Sequence, residues 1–440
     1  MSLHARVLIL ARDDSLAGPL AEGLDRLGWR TVTARGAQAG IATLGDLQVE
    51  AAIIDTNSYG EAAEDLVLEI KAASGARRLP VIAIGHPAPS AGPSVYDLTL
   101  AAPLHPAQAA LRLETLVRTA TAQEELELRM ATFSERGAIL DPTEASDAPW
   151  RILAVGEPAP RFLALSNALT QYGADVVGAF TAYTAFDYLH EQPFEAVVLW
   201  GGDNEAEALS IAAGMRRNTR LYHIPAVLYL RPDGDLTLSE VFHRGVSDVT
   251  THDTPDSETA DRVIELARAY RRQMAVRKAL NRARSSGLMD AVTGLFTRDL
   301  FAAHLARLTR SAQERNRALS VCVLKLTERA ELKTLRAEGW VDKAVPQIGS
   351  MVGRLVRAED TAARLGPETF ALALPATGLQ SARAAAERIS AVIGCTAFDA
   401  GEGRPPFVVE FDIGVAQVEP GENAGHALER AAARLHAKAG

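Results

Sequence analysis

The stretch Arg357-Ala358-Glu359-Asp360 is followed, five residues later, by Gly366-Pro367-Glu368-Thr369-Phe370. Apolar residues at helical spacing precede it, and the apolar run 370–374 after it predicts a strand. An arginine and a carboxylate three residues apart at a helix end project from one side of the backbone. A guanidinium fork can donate to the N7/O6 edge of guanine while a carboxylate accepts from its N–H groups. Arg357 and Asp360 are therefore a candidate guanine-binding pair, with an ordinary surface ion pair as the alternative.

The overall composition predicts several globular domains and excludes some classes of function. The chain has 440 residues, 48% of them apolar and 23% charged, which predicts about two to four domains. A net charge of −9 argues against a broad nucleic-acid surface, so no DNA partner is expected. The apolar runs are shorter than the roughly 20 residues of a membrane span, and we expect no signal peptide. Cys322 and Cys395 lie in apolar runs and are expected to be reduced core residues of a cytosolic protein.

The N-terminal part of the chain contains an internal repeat. Arg6-Val-Leu-Ile-Leu is echoed by Arg151-Ile-Leu-Ala-Val, and Glu50-Ala-Ala-Ile-Ile-Asp55 is echoed by Glu195-Ala-Val-Val-Leu-Trp200 at the same offset. Short apolar strands alternate with helix-period segments in both copies, which predicts an α/β fold with two doubly wound parallel sheets. Each copy resembles a response-regulator receiver domain. That resemblance implies five strands and an active site at their carboxyl ends.

In the first copy, Asp55 ends the third strand, where receivers carry their phosphoacceptor. The alternative is an ordinary polar residue at a strand end. The resemblance makes Asp13 and Asp14 the candidates for the acidic pair that binds Mg²⁺, although counting along the strand places that slot two residues earlier. Gly85 occupies the expected Ser/Thr position, and the expected Lys is lost in the segment 101–103. A phosphoryl group on Asp55 would therefore lack a compensating cation.

The second copy has lost the residues of phosphoryl chemistry. Trp200 stands at the phosphoacceptor position, Gly156 and Glu157 replace the acidic pair, and His252 occupies the Lys position. Because an indole cannot accept a phosphoryl group, we expect this domain to serve in dimerisation or docking.

Two long helices and a linker are predicted between the domains. Residues 107–130 predict the first helix, 133–147 a polar linker and 257–284 a second helix with a basic end. A solvated face or a signalling stalk is the favoured interpretation of that basic end. Nucleic-acid binding is the lesser alternative, because aromatic residues are not interleaved with the cations.

The segment Asp290-Ala-Val-Thr-Gly-Leu-Phe-Thr-Arg298 resembles the D-x-L-T-G-L-x-N-R motif that opens GGDEF domains, the diguanylate cyclase family. The RxxD stretch and the altered G-P-E-T-F hairpin that follow it strengthen the resemblance. It implies an α+β domain with a central antiparallel sheet. The order receiver, receiver, GGDEF is that of PleD-like response regulators, and the expected domains are 1–134, 150–284 and 285–440.

A working cyclase must bind GTP with two Mg²⁺ ions, which require carboxylate ligands. At the positions that the resemblance assigns to this chemistry, Lys325 and Thr327 replace acidic residues of the strand. In the hairpin, Pro367 replaces a glycine and Thr369 an acidic residue, which leaves Glu368. An ammonium repels Mg²⁺, and proline removes a backbone N–H and flexibility. We therefore expect no catalytic residues and no cyclase activity.

The inhibitory site of the family is better preserved. Arg357 and Asp360 keep its spacing, and Arg388, on a predicted helix over 380–392, matches an auxiliary arginine. A solvated helix arginine is the alternative for Arg388. The resemblance implies cyclic-di-GMP as the ligand, since its guanines and phosphates suit two arginines and a carboxylate.

These observations predict a catalytically inactive GGDEF response regulator that acts as a cyclic-di-GMP receptor and adaptor. Within the PleD-like group the chain resembles the degenerate PopA-type paralogues. That resemblance implies a homodimer through the receivers, a place in a two-component phosphorelay, and protein partners in cell-cycle control and regulated proteolysis. It also implies a cytoplasmic location at the cell pole. The alternatives are an active diguanylate cyclase with an unusual metal site and a ligand-independent dimeric scaffold.

Overall fold

The computed structural model describes residues 5–75, 77–85, 94–139, 148–200, 205–230, 236–282 and 287–435. Within these ranges the chain forms two five-stranded sheets and one four-stranded sheet. The two larger sheets are parallel and the smaller one is antiparallel, which confirms the expected fold class. No helix of the described ranges is both long and apolar enough to cross a membrane.

The first sheet has the strand order β2-β1-β3-β4-β5 and is covered by helices on both faces. Because both faces are covered, its central strands are continuous apolar runs rather than alternating ones. The strands are β1 Arg6–Leu10, β2 Arg30–Ala34, β3 Ala51–Asp55, β4 Val81–Ile84 and β5 Leu98–Leu100. The helices are α1 Asp14–Arg26, α2 Ala37–Asp46, α3 Thr56–Tyr59, α4 Ala62–Ala73 and α5 Pro106–Ser134.

The second sheet repeats this topology strand for strand, which is the structural counterpart of the sequence repeat. Its strands are β6 Trp150–Val155, β7 Ala174–Ala179, β8 Ala196–Trp200, β9 Ala226–Leu230 and β10 Asp248–Thr251. Its helices are α6 Pro160–Gln171, α7 Ala182–Glu191, α8 Glu205–Arg217, α9 Leu238–His243 and α10 Asp256–Arg282. Asp55 and Trp200 therefore end equivalent strands.

The third sheet has the order β12-β13-β11-β14. Its strands are β11 Leu319–Leu326, β12 Thr361–Gly366, β13 Thr369–Pro375 and β14 Phe411–Gln417. Its helices are α11 Arg298–Glu314, α12 Ala330–Ala337, α13 Trp340–Leu355, α14 Leu379–Gly394 and α15 Ala424–Ala433. Before α11, Asp290 accepts hydrogen bonds from the Thr293 backbone N–H (2.9 Å) and hydroxyl (2.7 Å), and Gly294 has a φ of +67°. The opening motif is thus a tight turn that needs glycine.

The helix α5 extends beyond the predicted 107–130, and this corrects the expected linker. Phe133, placed in a polar linker by the sequence, is fully buried and packs edge-on against Phe296 at 5.7 Å. The polar residues that follow it gave no local indication of this contact. Residues 140–147 of the predicted linker and 283–284 of the second predicted helix lie outside the described residues.

Three further expectations differ from the structure. Cys395 is exposed at the C-terminal end of α14, because the apolar face of that helix turns away from it, whereas Cys322 is buried as expected. The strand expected over 407–417 begins at Phe411, since Phe407 pairs in an isolated bridge with Phe398 instead. Ala437 and Lys438, expected in the last helix, lie outside the described residues.

The basic end of α10 is more than a solvated face. The Arg271 guanidinium lies 3.6 Å from the Trp150 ring centroid and bonds Glu195 (2.7 Å from Nη2 to Oε2). These contacts attach α10 to the second parallel sheet.

Candidate functional site

The candidate ligand site begins with the turn that joins α13 to β12. Asp360 is 6% exposed, and its Oδ2 accepts a hydrogen bond from the backbone N–H of Arg357 at 2.9 Å. The carboxylate thus fixes the turn through the backbone and leaves the Arg357 guanidinium out of this bond. Arg357 itself is exposed. The interpretation as a simple surface ion pair does not describe this geometry.

The second oxygen of Asp360 has no hydrogen-bond partner among the described residues although it is buried. Burial raises the pKa of Asp360 to about 7, and the nearby charges of Glu359 and Glu125 act in the same direction. The Arg357 N–H and charge oppose the rise. A buried acceptor without a donor is costly, so this oxygen would gain from a ligand that donates a hydrogen bond.

A cavity of about 460 Å³ adjoins this turn. It is lined by residues of the third domain, of the first receiver-like domain and of α5, including four arginines and three carboxylates. The arginines are Arg6, Arg118, Arg357 and Arg388, and the carboxylates are Glu50, Glu359 and Asp360. The structure therefore brings Arg357, Asp360 and Arg388 to one cavity and adds Arg6 and Arg118, which sequence reasoning missed. No local pattern marks these two, because they join the cavity only through domain packing.

In the region that resembles a cyclase active site, the polar side chains bond to one another. Lys325 Nζ lies 3.1 Å from Glu328 Oε1, and the Thr327 hydroxyl donates to Asp412 at 3.2 Å. In the antiparallel sheet Lys325 pairs with Thr369 on one side and Asp412 on the other. Lys325 thus lies beside the hairpin residue Thr369 in the sheet, and its ammonium is paired with Glu328.

The one acidic side chain of the hairpin, Glu368, is also engaged. Arg336 on α12 donates to it from Nε (2.9 Å) and Nη2 (2.8 Å), and this bonding raises the pKa of Arg336. A bidentate guanidinium pair neutralises the carboxylate. Arg336, like Arg6 and Arg118, is a residue that sequence reasoning missed. In the part of the chain that the structure describes, no three His, Cys, Asp or Glu side chains form a metal-binding group.

At the end of the first parallel sheet, the predicted phosphoacceptor is buried. Asp55 caps α3, accepting from the Asn57 N–H at 3.1 Å and from the Ser58 hydroxyl. Asp13 caps α1 through Ser15 at 3.0 Å, and Asp14 pairs with the exposed Arg35 at 3.0 Å. Phosphorylation of Asp55 and binding of Mg²⁺ by Asp13 and Asp14 stay predictions.

At the second sheet, aromatic rings fill the corresponding position. Trp200 stacks on Tyr229 with ring centroids 4.1 Å apart, and Phe162 meets Trp200 edge-on at 6.2 Å. His252 is largely exposed beside Asp253. Aromatic packing therefore fills the end of this sheet, and the use of this domain in dimerisation or docking stays a prediction.

Comparison with known families identifies the third domain. The family described as “Diguanylate cyclase, GGDEF domain” matches residues 287–439. A GGDEF domain is present. The turn at Arg357 and the hairpin at Glu368 thus belong to this GGDEF domain, and the cavity beside the turn borders on it.

Among curated proteins, the chain is similar to the response regulator PleD of Caulobacter vibrioides, with 23% identity over 224 residues. The match covers 51% of this chain and 49% of PleD, so the chain spans about half the length of the curated relatives it matches. The expected relation to a PleD-like response regulator is confirmed.

Two solved GGDEF domains are also similar. The GGDEF domain of DgcB from Caulobacter crescentus, in complex with c-di-GMP, is 24% identical with a TM-score of 0.32, covering 35% of this chain and 88% of that one. The FimX GGDEF domain from Pseudomonas aeruginosa is 22% identical with a TM-score of 0.32, covering 34% of this chain and 94% of that one.

Proposed function

We propose that this protein is a receptor for cyclic-di-GMP, built on a GGDEF domain that does not synthesise it. The proposal rests on one oxygen of Asp360, which is buried and has no hydrogen-bond partner in the described part of the chain. It lies beside a cavity that also presents Arg357 and Arg388. The N–H groups of a guanine suit that oxygen, and arginines suit its N7/O6 edge and the phosphates. A dinucleotide with two guanines and two phosphates offers all of these groups.

The position of the cavity supports a role in signalling between domains. Arg6 and Glu50 come from the first receiver and Arg118 from α5, while Arg357 and Arg388 belong to the GGDEF domain. A ligand that contacts both sides favours the arrangement in which they face each other. We propose that this arrangement is what protein partners recognise. Homodimerisation through the receivers, the cell pole, cell-cycle control and regulated proteolysis are proposed from the PopA-type resemblance alone.

Direct binding is the test of the receptor role. In isothermal titration of the full chain, we expect cyclic-di-GMP to bind with a Kd of about 1 μM or tighter, which is about −8 kcal/mol. Cyclic-di-AMP is the matched control, because adenine lacks the N1–H and O6 of guanine. Equal affinity for both, or no binding of cyclic-di-GMP, would favour the ligand-independent scaffold instead.

The inactive GGDEF domain is a separate prediction. Because Lys325 occupies the strand position and Arg336 neutralises Glu368, we expect no cyclic-di-GMP after incubation with GTP and Mg²⁺. The product is measured by chromatography against a known active cyclase. Turnover that disappears on Glu368→Ala would show that the domain is an enzyme.

The affinity for cyclic-di-GMP is expected to depend on pH. Burial raises the pKa of Asp360 to about 7, so in the free protein this carboxyl holds a proton below pH 7. Guanine N–H donors need the ionised form, and binding must then release that proton. Affinity should weaken by up to about tenfold per unit as the pH falls below 7, and level off above it. Titrations from pH 5.5 to 8.5 measure this, and an Asp360→Asn chain should lose the dependence.

A further inference from the structure

A buried polar cluster connects α5 to the strand that follows the RxxD turn. We call it the α5 cluster, and it consists of Glu125 and Arg129 on α5, His304 on α11 and Thr361 at the start of β12. Each of these four residues is at most 1% exposed. Glu125 Oε1 accepts from Arg129 (2.7 Å) and Thr361 (3.2 Å), and lies 2.8 Å from His304 Nε2.

The Arg129 guanidinium on α5 reaches two other segments of the chain. It donates to the Leu280 carbonyl on α10 at 3.3 Å, to the Thr361 hydroxyl at 3.2 Å and, more weakly, to the Asp360 carbonyl at 3.5 Å. The side chain of Arg129 on α5 therefore bonds both α10 and the last residue of the RxxD turn. The helices α5 and α10 are the long helices that follow the two receiver-like domains. A planar fork with several fixed donors is suited to such a junction.

Apolar packing holds the same turn from its other side. Ala358, inside the RxxD stretch, packs against a small cluster formed by Leu126 of α5 and by Val276 and Leu280 of α10. The turn is thus fixed by polar contacts at Asp360 and Thr361 and by apolar contacts at Ala358. A change in the position of α5 or α10 must therefore also alter the turn.

The α5 cluster is only partly satisfied. Glu125 Oε2 is buried without a hydrogen-bond partner among the described residues, while Oε1 serves three neighbours. Burial works to raise the pKa of Glu125, but the charges of His304 and Arg129 outweigh it and the pKa is lowered. Buried ionic groups are costly and often add little net stability, so their geometry points to a role in setting a specific arrangement.

We propose that the α5 cluster is a positioning device that couples ligand binding at Arg357 and Asp360 to the packing of α5 and α10 on the GGDEF domain. The inference rests on the proposed function. Because such coupling is reciprocal, ligand tightens the packing of the two helices, and their packing strengthens ligand binding. Thr361 transmits the coupling, since its hydroxyl joins the cluster to the turn.

The test compares Thr361→Val with Thr309→Val in the full chain. Valine at 361 keeps the size of the side chain and removes only the hydroxyl contact with Glu125 and Arg129. Thr309 is the matched control, because it is buried in the same domain and its hydroxyl has no partner among the described residues. Hydrogen–deuterium exchange of residues 120–132 and 276–282 is measured with and without saturating cyclic-di-GMP, and affinity by calorimetry.

In the wild type and in Thr309→Val, we expect ligand to slow exchange in both segments at least threefold. In Thr361→Val this slowing should be lost and the affinity should fall about threefold to tenfold, with Thr361→Ser restoring both. Binding with no change of exchange in the wild type, or equal slowing in Thr361→Val, would refute the coupling while leaving the receptor role intact. A wild type that does not bind would refute both.

Discussion

Replacing Arg357 with alanine should weaken cyclic-di-GMP binding by about 10- to 100-fold. A bidentate arginine–guanine contact discriminates by about 1–3 kcal/mol, and the guanidinium of Arg357 is not used by the turn itself. The turn should survive the change, because the bond to Asp360 comes from the backbone N–H of residue 357. Calorimetric titration of the full chain measures the loss, and thermal unfolding without ligand should be unchanged.

Two variants make this result specific. Arg357→Lys keeps the positive charge but lacks the paired N–H donors of the guanidinium. If the contact is bidentate, this variant should recover only a small part of the affinity. Arg383→Ala removes an exposed arginine of α14 that does not line the cavity, and it should bind like the wild type. If Arg357→Ala binds cyclic-di-GMP with wild-type affinity, the RxxD stretch has no part in ligand binding.

Replacing Arg317 with methionine is expected to have the largest effect on stability. Arg317, at 5% side-chain exposure, bonds Glu124 on α5 and lies 3.1 Å from Glu50 of the first receiver. Its loss removes this cation from Glu50 and leaves Glu124 with the more distant Arg315, 3.7 Å away. Breaking buried ion pairs costs about 3–5 kcal/mol. We expect the first receiver-like domain and the GGDEF domain to lose their mutual stabilisation. Scanning calorimetry of the full chain should then show either separate unfolding transitions or one transition at a lower temperature.

A pair of comparisons separates charge from packing in this contact. Arg310→Met changes an exposed arginine of α11 and should leave the unfolding profile unchanged. The double variant Arg317→Met/Glu124→Gln also removes the charge of the carboxylate that Arg317 bonds, and it should recover part of the lost stability. A single Arg317→Met variant that unfolds like the wild type would show that the two domains do not depend on this contact.

Element types were predictable from the sequence, whereas several boundaries were not. The doubly wound sheets follow from short apolar runs such as Ala51–Asp55, since a strand buried on both faces must be apolar throughout. The end of α5 was missed because Phe133 is followed by polar residues. Only its burial against Phe296, far along the chain, extends the helix to that point.

Residue spacing indicated Arg357 and Asp360 as a candidate binding pair, and the resemblance to GGDEF domains marked the loss of acidic residues at Lys325 and Thr327. Both concern a few consecutive positions. The packing of the domains added what spacing cannot contain. Arg6 and Arg118 reach the cavity, Arg336 neutralises Glu368, and Arg129 joins the RxxD turn to both long helices. Each of these contacts joins segments whose meeting depends on how α5, α10 and α12 pack, and such packing leaves no local pattern in the chain.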